Sequence, residues 1–330
     1  MSPGIGIVGC GLIGQRRAAA LAGGRLAACA DLDRHRADAL AEIHPGAKAI
    51  TSWQKLVTNR DVDVVIVATT NEALAEVAVA ALKADKHVLV EKPGARSTAE
   101  IDRIAKAARK HDRLVRVGFN HRYHPALLAA REIVDRGTIG PLMFVRGRYG
   151  HGGRVGYDRE WRADPERSGG GELIDQGVHL IDLSRWFLGP FVEIDGAAHT
   201  YFWDMPVDDN AFLRLTTATG QVAFLHVSCT EWKNLFSLEI YGRDGKLHIE
   251  GLGGSYGVER LAHYQMLPEM GPPQTVVHEY PRGDRSWELE LSEFYEDIRL
   301  GRSPSAGLEA ARAALEVVEA VYAQSKRKRR

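Results

Sequence analysis

The sequence has no surplus of charge. Its 43 Lys and Arg are matched by 43 Asp and Glu across 330 residues. A chain without a basic or acidic excess is not built as a polyanion binder, so neither nucleic acid nor a membrane is expected as a partner. The one departure is the closing run Lys326-Arg327-Lys328-Arg329-Arg330. Five adjacent cations repel one another, which predicts a disordered basic tail over 326–330. Cysteine is scarce: Cys10, Cys29 and Cys229 are odd in number and form no CxxC pair. That excludes a disulfide framework and a thiolate zinc site, and no metal is expected. Cys10 and Cys29 fall in apolar strand-like runs and read as small buried hydrophobes. No apolar run reaches the roughly 18 residues of a membrane span. The opening "MSPGIGIVGCG" enters a strand at once, without a basic segment and apolar run ahead of a cleavage site, so a cytoplasmic location is expected.

What the chain does have is a change of texture near residue 120. Before it, strand and helix signals alternate: "IGIVG", "QRRAAALAG", "RLAACA", "DRHRADALAEIH", "VDVVIVAT", "LAEVAVAALKAD", "HVLVE", "STAEIDRIAKAARKHD", "LVRVGF". "VDVVIVAT" is apolar on both faces, as a buried parallel strand is. Ser97 or Thr98 is placed to cap the helix that follows. This rhythm predicts a doubly wound parallel sheet over 1–120. Beyond it, "PLMFVRGRYG", "EIDGAAHTYFW", "AFLRLTTATGQVAFLHVSCTEW" and "LFSLEIYGRDGKLHIEG" carry longer, alternating patterns, with turn chemistry at "ATGQ" and "RDGK". A second α/β domain with an open, mostly antiparallel sheet is expected over 121–325. One strong helix, "GELIDQGVHLIDLSRWFLG", precedes that sheet, and a last helix over about 306–325 closes it.

Three glycines, Gly9, Gly11 and Gly14, follow the first strand and open a helix. Strand, GxGxxG loop and helix together form a dinucleotide cradle. The first glycine allows the tight turn, the second lets backbone approach a pyrophosphate, and the third lets helix pack on strand. Asp31 ends the second strand, 20 residues after Gly11, where an acceptor for a ribose 2′-hydroxyl belongs. A carboxylate there favours NAD; Arg34 and Arg36 nearby keep NADP as the alternative.

Two further stretches carry chemistry. Glu91-Lys92-Pro93 closes a predicted parallel strand at its C-terminal end, where open α/β sheets bind ligands. An ammonium fixed there can stabilise charge developing on a substrate oxygen. In "SGGGELIDQGVHLIDLSRWFLG", residues 168–189, Asp175 and His179 stand at i and i+4 of a predicted helix. The glycines before it would let a ligand approach closely. Histidine titrates near neutrality and suits proton transfer.

"GIVGCGLIG", "EKP" and "GGGELIDQGVHLIDL" together resemble the Gfo/Idh/MocA family of NAD(P)-dependent oxidoreductases, and the resemblance runs from residue 4 to about 325. It implies a Rossmann domain followed by a substrate-binding and oligomerisation domain, in a homodimer or homotetramer. It implies a catalytic trio of Lys92, Asp175 and His179. His179 would take the proton of a substrate hydroxyl, Lys92 would hold the same oxygen, and Asp175 would orient His179 or bind a hydroxyl. The cofactor site it implies comprises Gly9, Gly11, Leu12, Ile13, Gly14, Asp31, Asn71, Glu91 and Lys92. Some positions depart from the family pattern: Thr70 stands for a proline, Glu72 for a histidine, and His121 for an arginine in Asn120-His121-Arg122-Tyr123.

The implied substrate is a small polyhydroxylated ring, a sugar, sugar derivative or cyclitol. Candidate contacts besides Asp175 and His179 are Asn120, Arg122, His151, Tyr157, Trp161 and Arg162, with Arg154 in the same loop. Planar aromatics stack on sugar C–H faces, and arginine binds carboxylates in a fork. "CTEWKN", 229–234, is a second candidate strand, with Trp232 and Lys233 on opposite faces. A dehydrogenase is the first reading. The alternatives are an NAD-dependent glycoside hydrolase or lyase working by transient C3 oxidation, and a non-enzymatic NAD-sensing regulator.

Overall fold

The computed structural model describes residues 2–328. Its early elements alternate: β1 (Gly4–Val8), α1 (Leu12–Ala19), β2 (Arg25–Ala30), α2 (Arg34–Glu42), β3 (Lys48–Ile50), α3 (Trp53–Val57), β4 (Val64–Val67), α4 (Asn71–Lys83), β5 (His87–Val90), α5 (Thr98–His111) and β6 (Val115–Val117). Then come α6 (Pro125–Asp135), β7 (Leu142–Gly150), α7 (Pro165–Ser168), a π-helical turn (Leu173–Gly177) and α8 (Val178–Leu188). The remainder is β8 (Phe191–His199), β9 (Asn210–Thr217), β10 (Val222–Ser228), β11 (Leu235–Gly242), β12 (Lys246–Glu250), β13 (Glu259–Gln265), β14 (Gln274–Tyr280), α9 (Ser286–Leu300) and α10 (Leu308–Lys328).

The chain divides into two compact units. In the first, six strands run in the order β3-β2-β1-β4-β5-β6, all parallel. This is the dinucleotide-binding order, with its switch point between β1 and β4. The four residues of β4 are buried on both faces, as their apolar run requires. Ser97 caps α5 by accepting the Glu100 N–H.

This unit holds 1–120, 166–169 and 287–315, so its chain is not continuous. The expected boundary ran from 121 straight to 325. The return has a physical cause. Leu291 and Phe294 of α9 are fully buried in one core cluster with Ile5, Ile7 and Leu89. Two buried arginines also need α9: Arg17 bonds Glu290 at 2.6 Å, and Arg116 pairs with Asp297.

In the second unit, eight strands run β14-β13-β12-β11-β7-β10-β9-β8. Every pairing is antiparallel except β7 with β10. The two expected hairpins are present. Thr217 N–H reaches Gln221 O across "ATGQ", and Gly242 N–H reaches Gly245 O across "RDGK". Helices α6 and α8 pack on the sheet. Phe144, Phe212 and Phe224 are exposed. The strand register puts them on one face: Phe224 opposes Arg146, and Phe212 opposes His226.

Three local expectations change. "CTEWKN" is a loop rather than a strand, and Trp232 has φ +58. The helix of 168–189 begins with the π-helical turn, and α8 starts only at Val178. The basic tail is helical through Lys328, because α10 is 21 residues long and carries the chain past 325; Arg329 and Arg330 lie outside the described residues.

Candidate active site

The first unit supplies a nucleotide cradle. Gly9 has φ +95, and a Cβ there would sit 2.4 Å from Ala68 O. A Cβ at Gly14 would sit 1.9 Å from Gly9 O, so α1 can begin this close to β1 only with glycine. A Cβ at Gly11 would meet nothing within 4 Å, so this backbone borders open space. Leu12, exposed, and Ile13 form the first turn of α1. Asp31 follows β2, and its carboxylate is held on both oxygens. Cys10 N–H donates to Oδ2 at 2.7 Å, and Asp33 N–H donates to Oδ1 at 2.9 Å. The glycine loop and the acid therefore form one bonded piece. These residues fit a dinucleotide: a glycine-lined opening at a helix N-terminus, with a fixed carboxylate beside it. Arg34 is forked onto Asp38 at 2.7–2.8 Å, and Arg36 lies 3.5 Å from Asp33.

Two expected cofactor contacts have other work for their side chains. Glu91 is buried, and Arg17 Nε donates to its Oε1 at 2.6 Å. A guanidinium sealed in the core needs that carboxylate, so Glu91 is a structural anchor beneath Lys92. Asn71 is also buried, and its Nδ2 donates to Ser168 O at 2.8 Å. Lys92 itself is partly exposed at the C-terminal end of β5, and the Lys92–Pro93 peptide is cis.

The second unit holds a buried ring of polar side chains. His179, in the first turn of α8, is 3% exposed. The His121 imidazole lies flat against it, with centroids 3.7 Å apart and planes 19° apart. His121 Nε2 is 3.0 Å from Tyr149 Oη, and burial drives the Tyr149 hydroxyl pKa up. Asp175 lies in the π-helical turn, where Arg162 Nε donates to its Oδ2 at 2.9 Å. That guanidinium sits 4.6 Å over the Trp161 ring. Gly153 N–H donates to His151 Nδ1 at 2.9 Å, which leaves the ring proton on Nε2, 3.6 Å from Glu172 Oε2. Glu172 is 1% exposed, and burial pushes its carboxyl pKa up.

The glycines before this helix are explained by protein contacts. A Cβ at Gly171 would lie 1.9 Å from Asp208 O, and one at Gly170 would lie 2.2 Å from Tyr322 Oη. They let the helix start close on Asp208, whose carboxylate accepts the N–H groups of Gly171 and Leu173 and the Tyr322 hydroxyl.

Two expected substrate contacts have partners within the protein. Arg122 is 6% exposed and forked onto Asp182 of α8. A buried guanidinium takes the nearest carboxylate, and Arg122 ties the turn Asn120–Tyr123 to α8. Tyr157 is 5% exposed within an apolar cluster of Ala163, Met205, Val207 and Cys229. Asn120 is buried, whereas His151, Trp161 and Arg162 keep some exposure. Sequence reading missed Tyr149, Glu172 and Asp208. Only Glu172 carried a local signal, a carboxylate placed directly after three glycines ahead of an apolar helix. Among the described residues no helix is long and apolar enough to cross a membrane.

Residues 4–119 match the family described as "Oxidoreductase family, NAD-binding Rossmann fold", and residues 127–248 match its "GFO/IDH/MocA C-terminal domain". An inositol 2-dehydrogenase of Rubrobacter xylanophilus is 30% identical over 261 residues, 76% of this chain and 72% of that one. The inositol 2-dehydrogenase of Salmonella typhimurium is 35% identical over 189 residues, 56% of this chain and 54% of that one. The chain thus matches only about half the length of several such relatives. In fold it is similar to a levoglucosan dehydrogenase in complex with NADH. The TM-score is 0.89 at 21% identity, covering 99% of this chain and 98% of the other.

Proposed function

Since the chain belongs to the GFO/IDH/MocA oxidoreductase family, we propose that it moves a hydride between NAD and a hydroxyl carbon of a sugar, sugar derivative or cyclitol. The observation that carries the reading is the buried His179, stacked on His121 and set one helical turn from an Asp175 already neutralised by Arg162. Such an imidazole is held in one orientation and shielded from bulk water, as a general base needs to be.

When bound, NAD supplies the hydride acceptor. It would lie along Gly9–Gly14, with its ribose hydroxyls toward Asp31. His179 takes the substrate hydroxyl proton as the C–H bond breaks. Lys92 donates a hydrogen bond to the same oxygen and stabilises its developing negative charge. Asp175 accepts from a neighbouring ring hydroxyl or orients His179. With Arg34 engaged by Asp38, the carboxylate of Asp31 governs cofactor choice and favours NAD over NADP. Assembly as a homodimer or homotetramer belongs to the same reading. Its support is the exposed row Phe144, Phe212 and Phe224 on the open sheet face.

The test is absorbance at 340 nm with NAD, then NADP, against inositols, aldoses, uronic acids and aryl glycosides. A rise with a polyol and NAD is expected. Cleavage of an aryl glycoside without a rise would replace this reading with transient oxidation.

A further inference from the structure

A cavity of about 530 Å³ opens within the second unit, between the loop that follows β7, the loop around Trp203 and the loop around Trp232. Phe202, Trp203 and Trp232 line it with aromatic surface; Arg154, Asp158 and Arg159 line it with charge. None of these has a part in the chemistry described above.

The pocket is built. Asp209, fully buried, accepts the backbone N–H groups of Tyr201, Phe202 and Trp203 at 2.7–3.0 Å, and so clamps the aromatic loop. Trp203 Nε1 donates to Cys229 O at 3.0 Å, fixing the indole. A Cβ at Gly153 would lie 2.5 Å from the Trp203 ring, and one at Gly152 would lie 2.8 Å from the Trp232 backbone. The loop after β7 is therefore glycine where it must touch both tryptophan segments. Trp232 is held at φ +58, a region bulky residues avoid, yet its side chain is 83% exposed. Phe202, 56% exposed, meets it edge to face with centroids 5.5 Å apart. Strained backbone that keeps large rings in water does nothing for the core. Strained residues of this kind cluster at ligand sites.

The chemistry on the walls selects the ligand. Flat aromatic faces pack on the C–H face of a saturated ring, and charged groups around them take its hydroxyls. The side chains of Asp158 and Arg159 have no partner among the described residues and remain available for that role. The volume lies within the roughly 300–1,000 Å³ of small-molecule sites. The pocket is also linked through Tyr157 to His151, a candidate substrate contact of the same unit. The Tyr157 ring lies between His151, 5.3 Å away, and Trp203, 5.6 Å away, and His151 faces Glu172.

Resting on the dehydrogenase reading, we propose that this pocket is a second sugar subsite, so that the substrate is a glycoside or disaccharide rather than a free single ring. Trp232 is its stacking platform.

The test compares D-glucose with maltose, cellobiose and p-nitrophenyl β-D-glucopyranoside in the full chain, by NAD reduction and by tryptophan fluorescence. Trp232→Gly removes the indole and suits the positive φ; Arg159→Ala is the second variant. At least one two-ring compound should show a kcat/KM about tenfold above glucose, and both variants should erase that advantage while leaving glucose turnover within about twofold. Equal kcat/KM for one and two rings, or equal losses on both, overturns the subsite. A change of sedimentation in Trp232→Gly, without loss of two-ring preference, assigns the patch to contact between copies and also overturns it. If none of these sugars is oxidised, the wider panel of inositols, aldoses and uronic acids decides the dehydrogenase reading separately. Fluorescence then decides the subsite: saturable quenching by a two-ring compound, lost in Trp232→Gly, upholds it, and no quenching removes it.

Discussion

The imidazoles of His121 and His179 are stacked 3.7 Å apart, and Tyr149 holds the outer ring by its Nε2. A proton taken up by His179 is therefore received by a ring that cannot turn. His121→Ala frees that ring, and kcat should fall about tenfold to a hundredfold, the scale of loss from misplacing a catalytic group. The KM for NAD should stay unchanged. His121→Phe preserves the stack without the Tyr149 bond and should recover part of the loss. His179→Ala should abolish the acidic limb of the kcat/KM profile; an intact limb would exclude it as the base.

Lys92→Ala should lower kcat by about 10² or more, as expected when a fixed donor to a developing oxyanion is removed. Its neighbour Glu91 offers the contrast. Glu91→Gln breaks a buried ion pair with Arg17 and should appear first in thermal stability. Single-turnover rates and melting curves on both variants separate the two roles.

Asp31→Ser removes a carboxylate but leaves Arg34 on Asp38. The Kd for NAD should rise by at least about tenfold, while that for NADP should rise little or fall. Equal effects on both cofactors would mean that Asp31 does no more than bind Cys10 N–H.

Arg122→Ala leaves Asp182 charged and 2% exposed. The expected cost is about 3–5 kcal/mol of stability, read by denaturant titration. The KM of any substrate found should change little. A large rise in KM with unchanged stability would return Arg122 to the substrate site.

Burial, with Glu91 nearby, pushes the Glu290 carboxyl up to about 7 against the pull of Arg17. Its folded pKa exceeds its unfolded one, so at intermediate pH the folded state holds a proton that the unfolded state has lost. Stability from this group is complete below the unfolded pKa and declines as pH rises through about 7. Glu290→Gln should flatten the slope of stability against pH on the acid side of neutrality.

The parts legible in the sequence were local ones. The glycine loop and its acid lie within 23 residues, and backbone geometry fixes them. The hairpins at 217–222 and 242–246 announce themselves by turn residues. What stayed illegible was a polar side chain whose partner is remote. Arg122 meets Asp182 60 residues on, and Arg17 meets Glu91 74 residues on. An arginine facing a ligand and an arginine facing a buried carboxylate look alike until the fold sets its neighbours. Helix α9 was invisible for a similar reason. "SWELELSEFYEDIRL" gives a mixed pattern because Glu290 and Asp297, though polar, point inward to Arg17 and Arg116.

That return of α9 orders events during synthesis. When a ribosome has released residues 1–286, all six parallel strands exist, yet Arg116 still lacks Asp297 and the core still lacks Leu291 and Phe294. The intervening unit has every strand of its own sheet by then. The first unit to be translated thus stays unfinished until its segment 287–315 has followed, and chaperones would meet its open flank throughout that interval.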